Sequence, residues 1–206
     1  MLPLRDTIPT GRTPVVTYVF IAVNVLAYFL WQDGFSLDGR KDAQAYAAAM
    51  FMHGGLLHLG TNVLFLWIFG KSVEDSLGRL RFTVFYLLGG IAATALYVII
   101  HADATLPTLG ASGAIAAVLS GYALLFVRAK VVTVILFPFF FTVVELPALL
   151  VLGAWFLLQA LSAALDPADG VVYFAYIGGV VFGLATIRLF ASKQRTPRQN
   201  ERFAVR

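Results

Sequence analysis

Six long runs without Asp, Glu, Lys or Arg alternate with short charged stretches along the chain: Val15–Trp31, Ala47–Gly70, Phe82–Ile100, Ser112–Val127, Leu146–Leu165 and Val171–Ile187. Long uncharged apolar runs of this kind read as candidate membrane helices. A membrane-crossing helix needs about 20 such residues, within a range near 17–25. Most of the runs qualify, and the fourth is short. Residues Val131–Val144 are uncharged too, but Pro138 and its flanking phenylalanines argue against a regular helix. They are predicted to form an apolar loop at the membrane surface or under the bundle.

Composition agrees with a membrane class. Of 206 residues, 60% are hydrophobic and 13% charged, against about a quarter charged in soluble domains. The stretch Met1–Pro14 is polar and does not read as a signal peptide. The absence of cysteine excludes disulfides, thiolate metal sites and a cysteine nucleophile. The fold class predicted is an all-α membrane protein, a six-transmembrane-helix bundle over residues 1–192 followed by a basic cytoplasmic tail, 193–206.

Charge distribution orients the bundle. If the N-terminus, the 71–81 and 128–130 loops and the chain from Arg188 onward share one side, that side holds thirteen basic residues and the other only Arg40 and Lys41. Basic residues collect on the cytoplasmic side, so both termini are predicted inside. The net charge of +4 is then a matter of topology and anionic lipid, and nucleic acid is not an expected partner.

In this arrangement spans two, four and six all begin at the outer face. His53, His58 and Asn62 open span two in "HGGLLHLGTN"; Gly110-Ala111-Ser112-Gly113 opens span four; "FAYIGG" with Tyr176 lies just inside span six. Polar groups at membrane depth are costly, and three at one level mark a site. His58 and Asn62 are four apart and share a helix face, whereas His53 is predicted to point elsewhere. Isolated polar residues such as Asn24 and Gln159 are read as interhelical hydrogen-bonding groups. Two histidines five apart, without cysteine or a local carboxylate, do not make a zinc site. Ser112 reads either as an N-cap with glycines serving a turn, or as a nucleophile at a helix N-terminus. There free amides and the helix dipole favour an oxyanion, and His58 and Asn62 are able to donate to it.

The motif set resembles the rhomboid family of intramembrane serine proteases, of bacterial type. "HGGLLHLGTN" is similar to its H-x4-H-x3-N, "GASG" to its G-x-S-G and "YIGGVVFG" to its A-H-x-G-G segment; "NVLFLWIFGKSVEDSLG" and "VVELPALLVLGAWFLLQ" are similar to linking stretches of bacterial members. The resemblance implies six helices, with spans four and six closely packed at Gly179 and Gly183. It implies Ser112 as nucleophile and an oxyanion hole of His58, Asn62 and the amides of Ala111 and Ser112, with His53, Gly110 and Gly113 in support. It implies transmembrane segments of membrane proteins as substrates, no cofactor or metal, and a bacterial cytoplasmic membrane with the site facing outward. The family's basic histidine on span six has Tyr176 in its place. A phenol with a reference pKa near 10 is a poor base beside an imidazole near 6.5. His101, read as a solvated loop residue, is the one conceivable replacement. The expectation is therefore a rhomboid-type protease impaired at its base. The alternative is a pseudoprotease that binds transmembrane clients without cutting. A small-solute transporter is disfavoured, since no span carries an ionised side chain.

Overall fold

The computed structural model describes residues 2–31, 44, 48–100, 110–136, 139–165 and 167–191. The tail 193–206, His101 and most of the loop from Gln32 to Tyr46 lie outside the described residues. Each of the six apolar runs is helical over most of its described part. Helix α1 covers Val15–Leu26 and continues through a π-helical turn, Ala27–Trp31. It is followed by α2 (Leu56–Leu77), α3 (Arg79–Ile100), α4 (Ser112–Leu125), α5 (Ala148–Leu165) and α6 (Pro167–Phe190). Among the described residues, α2 and α3, at 22 residues each, are long and apolar enough to cross a membrane; the other apolar stretches are shorter.

Helix α4 is the axis of the bundle. Every residue from Ala111 to Tyr122 is buried, which explains why its apolar residues lie on no single face. It packs against α3 and α6, and small residues make that approach possible. A β-carbon at Gly179 of α6 would collide with the Gly113 carbonyl of α4, one at Gly183 with Ser120 and Ala117, and one at Gly89 of α3 with Ala117. Large apolar side chains point outward instead, including Leu26 and Leu30 of α1 and Leu157, Leu158 and Leu161 of α5.

Two expectations fail. Residues 131–144 are not an irregular loop: β2 (Lys130–Leu136) and β3 (Phe141–Pro147) form an antiparallel hairpin. Strand β1 (Leu2–Asp6), from the chain's start, completes a sheet of order β1-β2-β3. Backbone pairing with a partner about 130 residues away supplies the order that helix periodicity lacks. The second concerns 71–81, which is not a loop either. Helix α2 runs on to Leu77, and Gly78 alone, at φ 84°, turns the chain into α3.

The charges within that extension are satisfied internally. Glu74 is buried and accepts from the Val16 amide (3.0 Å), the Thr17 amide (2.8 Å) and the Thr17 hydroxyl (2.8 Å), thereby capping α1 from another helix. Asp75 accepts from the Gly11 amide at 3.0 Å. Asp6 of β1 receives the hydroxyls of Ser72 (2.6 Å) and Tyr122 (3.2 Å) and pairs with Lys71 at 3.2 Å. Strand, α2 and α4 are thus tied at one end of the bundle, leaving the opposite end of α4 to Ser112.

Candidate active site

Ser112 is the first residue of α4, and Ala111, at φ −72° and ψ −3°, is its N-cap without a side-chain cap bond. Ser112 is therefore not the capping serine. The amides of the first helical turn have no carbonyl one turn upstream, and the serine itself is buried.

The backbone before it is specialised. Gly110 has φ +112°, a region that residues with a β-carbon rarely enter. A β-carbon there would also lie 2.9 Å from His58 Cε1, 3.0 Å from His58 Nε2 and 3.6 Å from Asn62 Nδ2. The Gly110 amide donates to the Ala49 carbonyl at 2.8 Å, which fixes the turn. His58 and Asn62 thus meet the chain two residues before Ser112, on one face of α2 as their spacing predicts. Both His58 Nε2 and Asn62 Nδ2 are buried and have no hydrogen-bond partner among the described residues. Buried polar atoms in folded proteins are nearly always bonded, so a convergent pair of this kind calls for a functional reason.

His53 departs from expectation. Helix α2 begins at Leu56, so His53 precedes it and folds back, its ring edge-to-face with His58 at 5.2 Å between centroids. Its Nδ1 donates to the Phe51 carbonyl at 3.1 Å, which assigns the proton to that nitrogen. His53 is fully buried and packs the His58 ring from behind.

On the other flank, α6 meets the start of α4. The Ala175 carbonyl lies 3.6 Å from where a Gly113 β-carbon would stand. That contact sets Tyr176 at the level of the α4 N-terminus. Tyr176 is buried, its ring 5.7 Å from Trp155 of α5, which in turn packs 5.2 Å from Phe65 of α2. Ser112 therefore has His58 and Asn62 beside the residue two before it, and α6 beside the residue after it. Sequence reasoning missed Ala49 and Trp155. Nothing in the sequence marks an alanine whose carbonyl holds a turn, and an aromatic in an apolar run has no distinguishing spacing.

A family model for the rhomboid domain matches residues 41–193. The chain belongs to the rhomboid family. Similar rhomboid proteins include the mitochondrial Rhomboid protein 1 of Saccharomyces cerevisiae, 30% identical over 190 residues, which covers 82% of this chain and 51% of that protein. Rhomboid protease GluP of Bacillus subtilis is 34% identical over 118 residues, 50% of this chain and 23% of its own length. The presenilin-associated rhomboid-like protein A of Danio rerio, also mitochondrial, is 34% identical over 142 residues, 65% of this chain and 34% of its own. The chain thus matches about half or less of the length of these rhomboid relatives. The membrane setting follows from family membership, and bacterial and mitochondrial members both stand among the relatives.

Proposed function

We propose that this rhomboid is built as an intramembrane serine endopeptidase acting on transmembrane segments, with Ser112 as nucleophile, and that Tyr176 in place of a basic histidine leaves it nearly inactive. The observation that carries the reading is the pair of buried donors, His58 Nε2 and Asn62 Nδ2, without a partner among the described residues and directed at Gly110 beside the α4 N-terminus. Attack of Ser112 Oγ on a peptide carbonyl converts its oxygen to an anion. His58 in its Nε2–H tautomer, Asn62 and the amides of Ala111 and Ser112 are the donors that hold it. The serine proton needs an acceptor, and Tyr176 is a poor one.

Six spans with both termini in the cytoplasm fit the thirteen-to-two basic asymmetry, in a bacterial-type cytoplasmic membrane with the site towards the outer face. The length of α4 supports the depth of the site. Its 14 residues rise about 21 Å, against a hydrocarbon core of about 30 Å. If Leu125 ends near the basic boundary at Arg128 and Lys130, Ser112 lies roughly 9 Å below the opposite surface. Clients are transmembrane helices carrying Gly or Pro near the outer end, because an intact helix shields its carbonyls from attack. Tyr176 favours a second reading, a pseudoprotease that binds such helices without cutting.

A fluorophosphonate serine probe on detergent-solubilised protein separates the two. Labelling of Tyr176→His at Ser112, with little labelling of the unmodified chain, supports the impaired protease. A folded Tyr176→His protein that ignores the probe overturns it in favour of the pseudoprotease.

A further inference from the structure

The β2–β3 hairpin ends in three consecutive aromatic residues facing outward: Phe139 is 98% exposed, Phe140 63% and Phe141 68%. The hairpin springs from basic residues, Arg128 and Lys130, so it lies outside the spans, where water would wet these rings. Large aromatic side chains gain much from leaving water.

Register divides the two faces of the sheet. Val131 and Thr133 of β2 are fully buried, and β2 and β3 contact α5 while β1 contacts the Leu66–Gly70 part of α2, so one face packs against the bundle. The other face carries Arg5, Lys130 and Glu145 near the base, with Lys130 and Glu145 3.5 Å apart, and Leu2, Val134, Val143 and Phe141 towards the tip. Each strand has seven residues, roughly 20 Å. Strand β3 also passes directly into α5, whose Leu149 and Leu150 are exposed at its first turn. The hairpin base is thereby continuous with the lipid-facing belt.

We infer that the aromatic tip of the β2–β3 hairpin is a lipid anchor, seated in the headgroup–acyl boundary of the cytoplasmic leaflet, an inference that rests on the membrane-spanning reading. The apolar rings enter the boundary as the apolar face of an interfacial element does, and Arg5, Arg128 and Lys130 meet anionic headgroups. The lipid fixes the hairpin and, through Pro147 and Ala148, the foot of α5.

The chain has no cysteine, so single-cysteine variants of the full chain can be spin-labelled and placed in phosphatidylcholine–phosphatidylglycerol vesicles. The readout is collision with lipid-soluble oxygen against a water-soluble nickel chelate. Phe139→Cys is expected to give an oxygen-to-nickel ratio several-fold above that of the same label on a soluble peptide. Leu157→Cys, on the exposed face of α5, marks the acyl region. A lipid-like label at 157 with a water-like label at 139 overturns the anchor and leaves the membrane reading intact. Water-like labels at both positions remove the membrane reading, and the anchor with it. Magnetic coupling between labels at 139 in neighbouring molecules would make a second copy the occupant, and would overturn the lipid assignment.

Discussion

Gly179 of α6 rests on Gly113 of α4 so closely that a β-carbon at 179 would collide with the Gly113 carbonyl oxygen. The contact is backbone against backbone, so no side chain can rotate away to relieve it. It also joins the residue after Ser112 to the helix that carries Tyr176. Gly179→Ala is expected to push α6 off α4 and to cost about 1–3 kcal/mol, the range for overpacking. Thermal unfolding in detergent measures it. Gly153→Ala on α5, where nothing among the described residues lies within 4 Å of the added β-carbon, is the matched control and should leave the midpoint unchanged or raise it slightly.

Tyr176→His is predicted to raise cleavage of a transmembrane client by about four to six powers of ten, the usual value of the base in a serine protease. Imidazole is smaller than phenol and fits the site without overpacking. Adding Ser112→Ala should abolish the gain. Robust Ser112-dependent cleavage by the unmodified chain would refute the impaired-base reading and make His101 the first residue to mutate.

Asn62→Ala in the Tyr176→His background should lower kcat by about 10²–10³, as loss of one oxyanion donor does. The unfolding midpoint should move little, because Asn62 Nδ2 has no partner among the described residues to lose. A large drop in stability with kcat preserved would instead assign Asn62 to the scaffold.

Glu74→Ala removes the acceptor for three donors at the start of α1. A lost cap costs about 0.5–2 kcal/mol, and donors left buried add to it. The expected sum of about 2 kcal/mol or more can be read as a lowered unfolding midpoint.

Stability should depend on Asp6 in a defined direction. Burial pushes its carboxyl above the usual range, against the opposing pull of Ser72, Lys71 and Tyr122. The folded protein then holds this proton more tightly than the unfolded chain does. The stability it contributes is complete in acid and is lost as pH rises through the folded-state value. Asp6→Asn abolishes that dependence, so the variant should gain on the parent as the buffer goes from acid to neutral. Midpoints that shift in parallel across this range would contradict the assignment.

The six helical runs were legible in the sequence because lipid offers backbone groups no partner. A long uncharged run has to satisfy them internally, as a helix, wherever the rest of the chain lies. The shared face of His58 and Asn62 was legible for the same reason, since it follows from helix geometry alone. Position 176, where a base was expected, needed only the motif. Tertiary structure decided what depends on distant partners. Strands β2 and β3 read as a loop because Leu2–Asp6, which completes their sheet, is far away in sequence. Residues 71–77 read as a loop because the amides of α1 that neutralise Glu74 are invisible locally. His53 turns onto His58 because α2 starts later than its hydrophobic run. The direction of His58 and Asn62 towards Gly110 was settled by the Ala49 carbonyl and by the glycine contacts of α3, α4 and α6. Spacing along a chain sets direction within one helix, and only packing brings separate helices to a common point.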